Sequence, residues 1–325
     1  MSAGTATAVA HPNIALVKYW GKRDEDLVLP VTGSLSLTLD TGATRTTVDL
    51  DPAAAQDTVE LDGATSTGVP HERVATFLDL VRERAGRTER ARVTTVNTVP
   101  TGAGLASSAS GFAALALAAA GAYGLELDER DLSRLARRGS GSASRSVFGG
   151  LAVWHAGHDD ASSFAEPVAT DLGLGMVVVV LTGEQKAVSS RVAMRRTVDT
   201  SPFYPAWARQ NPQDLADALA AVRAGDLARL GEITENNALR MHATMLGAVP
   251  PVVYWSAGTL TVLHLVQALR RDGLEAWATM DAGPNVKVLC SLRHRAALAQ
   301  ALADQVDGAR LLVAGAGPAA RLETP

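Results

Sequence analysis

Apolar and polar positions alternate or recur with clear periods along most of the chain. Residues 5–10 and 13–19 are rich in β-branched and aromatic side chains and predict two strands around the His11-Pro12 break. Residues 34–40, Ser-Leu-Ser-Leu-Thr-Leu-Asp, alternate with period two, which predicts a strand with one face in water. Residues 44–50 and 58–61 are expected to continue it as an antiparallel meander. Val74, Phe77, Leu78 and Val81 have helical spacing within residues 71–85, and residues 92–98 read as a further strand. From Pro100 to Ser110 the chain holds two glycines and three serines, then runs into an alanine-leucine stretch of high helix propensity at 111–120. Residues 128–138 predict a short amphipathic helix with Asp128 as its N-cap.

The unbroken apolar run at 175–182 predicts a buried central strand that opens a second half. A helix is expected to start over 186–191 and to carry Val192, Met194 and Val198. Residues 207–224 and 227–241 predict two amphipathic helices packed as a hairpin. Ser256 caps a further helix that runs to Arg271 and is stopped by Gly273. Strands are expected at 275–280 and 310–313. There is no internal repeat, low-complexity segment or long linker.

With 325 residues, 47% hydrophobic and 20% charged, the chain is long enough for two domains with substantial cores. A net charge of −4 argues against broad attraction to nucleic acid, so an acidic ligand would need a local basic pocket. Cys290 is the single cysteine, which excludes an intrachain disulfide and a cysteine-cluster metal site. The longest apolar runs, 112–120 and 176–181, are too short to span a bilayer, and no signal peptide is evident. The expectation is a soluble protein of the cytoplasm.

Four stretches carry candidate chemistry. The loop before residue 111 would place backbone N–H groups and the positive end of a helix dipole around a phosphate. The plainer alternative is a turn with Ser107 or Ser110 as N-cap. No Gly-Lys-Ser/Thr follows, so it is not a Walker A loop. Lys18-Tyr-Trp-Gly-Lys-Arg-Asp24 puts two lysines, an arginine and two aromatics beside a buried strand, with Lys18 and Tyr19 on opposite faces if the strand continues. Its aromatics would otherwise be core edge and its lysines solvated. Arg137-Arg-Gly-Ser-Gly-Ser-Ala-Ser-Arg-Ser146 sets three arginines around glycine and serine, a pattern suited to carboxylate or phosphate, or else a flexible linker. Asp281-Ala-Gly-Pro-Asn-Val-Lys287 puts an aspartate at a strand end, where active-site groups are often mounted. Taken alone, that aspartate reads first as an Asx-turn.

Together with 13–22 and 34–40, these segments make the chain similar to the GHMP kinase superfamily and, within it, to the diphosphomevalonate decarboxylase family. The Pro100 loop indicates the superfamily. The Lys-Tyr-Trp-Gly-Lys and Ser-Gly-Ser-Ala-Ser-Arg strings indicate the decarboxylases, and the likeness runs in order over nearly the whole chain. It implies an α+β, two-domain GHMP kinase fold. A ribosomal-protein-S5-like N-terminal domain (1–174) would carry nucleotide and substrate contacts. A ferredoxin-like C-terminal domain (175–325) would carry the catalytic aspartate, with the site in the cleft between them.

The resemblance also implies an ATP-dependent decarboxylation of mevalonate 5-diphosphate to isopentenyl diphosphate. Asp281 would orient the C3 hydroxyl, Arg145 would hold the substrate carboxylate, and Lys18 would neutralise charge near the transferred phosphoryl and depress Asp281. Substrate contacts would come from Tyr19, Trp20, Gly21, Lys22, Ser140, Gly141, Ser142, Ala143, Ser144, Arg145, Ser190 and Arg191. Gly104, Leu105, Ala106, Ser107 and Ser108 would cradle the ATP phosphates. Mg²⁺ would bridge nucleotide oxygens with few direct protein ligands, and a homodimer is the implied assembly. None of the seven histidines is needed for this chemistry. A decarboxylase of mevalonate 5-phosphate, a C3 kinase and a nucleotide-binding regulator remain the rival readings.

Overall fold

The structure, a computed structural model, describes residues 4–98, 107–181, 188–306 and 308–323. The first sheet has six strands. Its central strands are β1 (Thr5–Ala10), β6 (Thr44–Asp51) and β9 (Arg90–Asn97), each antiparallel to the next. On the far side of β9 lie β7 (Thr58–Leu61), parallel to it, and the short β8 (Ala64–Thr65). β16 (Arg321–Leu322) returns from the end of the described chain to pair with β1.

One face of this sheet is covered by α1 (Val69–Ala85), α2 (Ser107–Tyr123) and α3 (Glu129–Gly139). α2 is built from alanine and leucine on nearly every side, and a helix apolar all round belongs in a core. It packs between β1, β6 and the Phe77, Leu78 and Val81 side of α1. Asp128 caps α3 as expected, its side chain accepting from the Asp131 N–H.

A second, four-stranded sheet has the order β11 (Ala165–Val168), β10 (Leu151–Trp154), β5 (Ser34–Thr38), β2 (Asn13–Val17). This corrects two expectations. β5 does not form a meander with β6 and β7, because those belong to the first sheet. Nor does its polar face meet water: Ser34, Ser36 and Thr38 are as buried as Leu35 and Leu37. The reason lies in what covers them. Thr38 donates to the Phe148 carbonyl and Ser34 accepts from Arg145, so residues 145–148 replace solvent on that face.

The third sheet, all antiparallel, has the order β13 (Trp277–Met280), β14 (Val286–Ser291), β12 (Leu174–Val180), β15 (Arg310–Gly315). β12 is apolar throughout because both faces are covered. Val177 and Val179 meet α7 (Ala257–Arg271) and α8 (Arg295–Gln305), while Met176 and Val178 meet α5 (Tyr204–Arg223) and α6 (Leu227–Leu246). α5 and α6 form the expected hairpin, and Ser256 closes a capping box with Thr259 at the start of α7. β14 and α8 have no counterpart among the sequence expectations. The apolar cluster around α5 and α6 also takes in Ile14, Leu16, Leu35 and Leu37, so it joins the second sheet to the third. Two small elements complete the frame: the hairpin of β3 (Lys22–Asp24) with β4 (Leu29–Pro30), and α4 (Ser190–Thr200), capped by Ser189.

Candidate active site

β2 ends at Val17, and its ladder is already irregular between Ala15 and Val17. The next residue, Lys18, is 1% exposed and lies beyond the ladder, so its backbone needs partners from elsewhere. They come from the second half of the chain. Asn237 of α6 accepts from the Lys18 N–H at 2.8 Å. Asn211 of α5 donates to the carbonyls of Lys18 and Gly33 and to Thr32 Oγ1, at 3.4, 3.0 and 2.7 Å. The Lys18 ammonium donates to the Ala15 carbonyl and to Asp281 Oδ1, both at 2.8 Å.

Asp281 follows β13 directly. Its own carbonyl accepts the turn hydrogen bond from Gly283, and its carboxylate lies between two lysines, so it does not act as an Asx-turn residue. The second lysine is Lys287 of β14, 3.3 Å from Oδ2. Burial alone would raise the Asp281 carboxyl, but the charges of Lys18 and Lys287 and their hydrogen bonds hold it well below the usual carboxylate range. Burial pulls the Lys18 ammonium below its ordinary value against the attraction of Asp281, with Lys287 and Arg145 also lowering it. His242 of α6 faces the same aspartate. Burial, aided by the Lys18 charge, lowers its imidazole to about 3, so it is neutral.

The serine-glycine stretch is an ordered 3₁₀ turn, Gly141–Ser144, and not a linker. Arg145 follows it and is 2% exposed. It donates to Ser34 Oγ at 2.6 Å and to Asn13 Oδ1 at 3.2 Å, while its Nε has no partner among the described residues. Burial lowers its guanidinium to about 10, which leaves it charged at neutral pH.

A cavity of about 800 Å³ opens over these groups. It is lined by Lys18, Tyr19, Trp20, Lys22, Ser140, Gly141, Ser142, Arg145, Ser190, Arg191 and Asp281, all anticipated from sequence. Ser108 lines it as well, 3.5 Å from Ser140 Oγ. Ala143 and Ser144 lie behind the lining, where the Ser144 hydroxyl donates to the Gly141 carbonyl. Gly21 is a backbone requirement: its φ is 110°, and a Cβ there would fall 1.8 Å from the Tyr204 hydroxyl. Lys18 and Tyr19 both reach the cavity, because the strand stops at Val17 and the expected alternation does not carry on.

Ser107 sits in the first turn of α2 and lines a smaller cavity of about 200 Å³ with Val59, Val93, Phe112 and Leu115. Ser108 and Arg73 line both cavities. Gly104, Leu105 and Ala106, like Lys186, lie outside the described residues. Sequence reasoning gives no individual role to Lys287, Asn13, Arg73, Asn211 or Asn237, whereas Arg138 belongs to the arginine-bracketed string it singles out. A lysine in the apolar run Val-Lys-Val-Leu-Cys was a usable signal for Lys287. Asn211 and Asn237 carry none without the packing.

Among the described residues, seven cationic side chains line the larger cavity against three carboxylates, and the buried Tyr19 hydroxyl and Arg138 Nε find no hydrogen-bond partner. That donor set fits a ligand with several negative charges and a carboxylate. Among the described residues no group of three or more His, Cys, Asp or Glu side chains could hold a metal ion. Fold and site together define a two-domain α+β protein of the GHMP kinase fold, with a cationic cavity where its halves meet.

Residues 10–165 match the diphosphomevalonate decarboxylase-like N-terminal domain, and residues 176–311 match the mevalonate 5-diphosphate decarboxylase C-terminal domain. The chain is 38% identical to human diphosphomevalonate decarboxylase over 306 residues, 87% of this chain and 76% of that protein. It superposes with a TM-score of 0.95 on a structure of MDDEF in complex with MVAPP, AMPPCP and magnesium, at 48% identity and covering 99% of each chain. On the Staphylococcus aureus mevalonate diphosphate decarboxylase the TM-score is 0.96 at 42% identity, covering 99% of this chain and 98% of that one. The chain belongs to the diphosphomevalonate decarboxylase family.

Proposed function

We propose that the chain catalyses the ATP-dependent decarboxylation of mevalonate 5-diphosphate to isopentenyl diphosphate, releasing ADP, phosphate and CO2. The observation that carries this is one cavity holding an ionised aspartate between two lysines, with a buried arginine beside it that has no ion-pair partner among the described residues. Decarboxylation needs a leaving group at C3, and a tertiary hydroxyl is a poor one. Phosphorylating its oxygen makes departure feasible. Asp281 accepts a hydrogen bond from that hydroxyl and orients it toward the nucleotide. A loose phosphoryl-transfer transition state demands little early proton removal, so orientation is the larger part of its work; the hydroxyl proton passes to the Asp281 carboxylate late, as the C3 oxygen bonds the γ-phosphoryl and the bond to ADP breaks. Lys18 stabilises the transferred phosphoryl group. When phosphate leaves, positive charge develops at C3, and the electron pair of the bond to the carboxylate carbon forms the double bond as CO2 departs. Arg145 holds the carboxylate in line for that step.

Tyr19, Lys22, Ser140, Ser142, Ser190 and Arg191 are the donors for the 5-diphosphate. Trp20, Gly21, Gly141, Ala143 and Ser144 shape the wall they stand on. The start of α2, with Ser107, Ser108 and the preceding Gly104, Leu105 and Ala106, receives the ATP phosphates, and the smaller apolar cavity beside it suits the adenine ring. Mg²⁺ bound to the nucleotide neutralises phosphate charge. We divide the chain into domains 1–174 and 175–325, which the two family matches support, and assign it to the cytoplasm as a homodimer. Light scattering of the purified protein tests the assembly.

Turnover is tested with ATP, Mg²⁺ and either mevalonate 5-diphosphate or mevalonate 5-phosphate, following ADP and CO2 together. Equal ADP and CO2 with the diphosphate alone is the expected result. CO2 from the monophosphate alone, ADP without CO2, or silence with both substrates would replace it with the monophosphate decarboxylase, the C3 kinase or the regulator.

A further inference from the structure

Lys287 stands in β14 in register with Thr279 of β13, between Val286 and Val288, and is 1% exposed. It does not line the cavity, so it touches no ligand there. Its ammonium has one carboxylate within ion-pair distance among the described residues, Asp281 Oδ2 at 3.3 Å, and a marginal contact at 3.5 Å with the Asn285 carbonyl. Lys18 holds the other oxygen of the same carboxylate, and Lys18 does line the cavity. A lysine buried within an apolar strand is costly unless its charge is used. One carboxylate does not need two buried cations for neutrality.

We propose that Lys287 is a positioning residue that keeps Asp281 ionised and aimed from behind, which frees Lys18 to turn to the transferred phosphoryl group. This rests on the decarboxylase reading of the site. Among the described residues, four titratable groups face Asp281: Lys18 from the end of β2, Lys287 from β14, Arg145 after the 3₁₀ turn and the neutral His242 from α6. Arg145 is committed to the substrate carboxylate and His242 carries no charge. Once an incoming phosphoryl group draws Lys18 away, Lys287 is, among the described residues, the lysine still within ion-pair distance of this partly exposed carboxylate, and its charge keeps the ionised form favoured. Without it, the carboxyl loses its acceptor character at the moment the C3 hydroxyl requires it.

The test uses the full chain with Lys287→Met, Lys287→Gln and Lys287→Arg. The ¹³C carboxyl resonance of Asp281, assigned by its loss in Asp281→Asn, is titrated without nucleotide. Its midpoint is expected to rise by at least about one pH unit in the Met and Gln variants and to return toward wild type with Arg. In turnover, Met and Gln are expected to lower kcat by about tenfold or more with each KM within about threefold of wild type. An unmoved midpoint, a wild-type kcat, or a loss carried wholly by KM would overturn the proposal. So would full recovery with Gln, because that would make hydrogen bonding and not charge the requirement. The titration reads Asp281 whether or not the chain decarboxylates. A raised midpoint in a protein without turnover would therefore remove the decarboxylase reading and leave the charge-holding role standing.

Discussion

Replacing Arg145 with methionine should leave the fold as stable as before, or slightly more so, while removing activity. The guanidinium is buried, its Nε lacks a partner among the described residues, and its bonds go to the neutral Ser34 and Asn13 side chains. Burial lowers it from 12.5 to about 10. That displacement corresponds to a penalty of about 3 kcal/mol on the charged form. Methionine keeps most of the stem volume and carries no charge. Ser34 Oγ and Asn13 Oδ1 then lose one donor each, at about 1 kcal/mol apiece. The balance favours Arg145→Met by about 1 kcal/mol, or a Tm raised by about 2 °C in a chain of this size. Activity should go the other way, with kcat/KM for mevalonate 5-diphosphate falling by about 10³, since a buried charge-assisted pair with the carboxylate is lost. Substrate should also raise the Tm of wild type more than that of the variant. The assays are thermal unfolding with and without substrate, and ADP release under saturating ATP. A Tm lowered by more than about 5 °C would refute the reasoning, because Arg145 would then be a structural residue. Activity within about tenfold of wild type would refute its role toward the carboxylate.

Asp281→Asn should keep ATP and substrate affinity, measured by calorimetry, while turnover falls by several orders of magnitude; lost binding in a folded variant would make the aspartate structural. The folded-state carboxyl of Asp281 is depressed, so its contribution to stability is present above the ordinary aspartate value of about 4 and is lost only as pH falls through its lower folded value. Wild-type kcat should accordingly show no acid limb from Asp281 between about pH 5 and 8, and a limb there that vanishes in an otherwise active Asp281 variant would contradict this. Gly141→Ala would set a Cβ 2.9 Å from the Tyr19 hydroxyl and the Trp154 ring. It should raise the KM for mevalonate 5-diphosphate about tenfold or more while leaving that for ATP near wild type, which steady-state kinetics can check. Asn237→Ala orphans the buried Lys18 N–H and should lower stability by about 2 kcal/mol, read by chemical denaturation, together with kcat.

Local signals made part of this molecule legible. The caps at Asp128 and Ser256, the α5–α6 hairpin and the apolar β12 follow from side-chain chemistry within a few residues. β5 shows where that reasoning stops. Its alternation specifies a strand, but period two does not say whether water or Arg145 faces the polar side. α8 escaped notice because its alanines blur the contrast between its faces, and just Leu298 and Leu302 are fully inside. In the site, Lys18, Arg145 and Asp281 stood out through strings that resemble a known family. Lys287 acquires its role from the pairing of β13 with β14, a register that no local pattern specifies.

The residues that sequence left silent are those that tie the two halves together. Lys18 belongs to the first half, yet its N–H is held by Asn237, 219 positions away, and its carbonyl by Asn211, 193 away. Asn237 also donates to Asn211 and to Asp214, and Asp214 is held by Arg240, so the contact is a closed polar network. Apolar packing alone would tolerate small slips between α5, α6 and the second sheet, because dispersion and hydrophobic burial are weakly directional. Buried hydrogen bonds do not tolerate them, since each slip leaves a donor or acceptor unpaired. The 2.8 Å separation of Lys18 from Asp281 depends on that same seating, because the two residues sit on opposite halves. Placing amides at the backbone of Lys18 therefore fixes its distance from Asp281, and on the proposed mechanism Asn211 and Asn237 would act on turnover without touching the substrate.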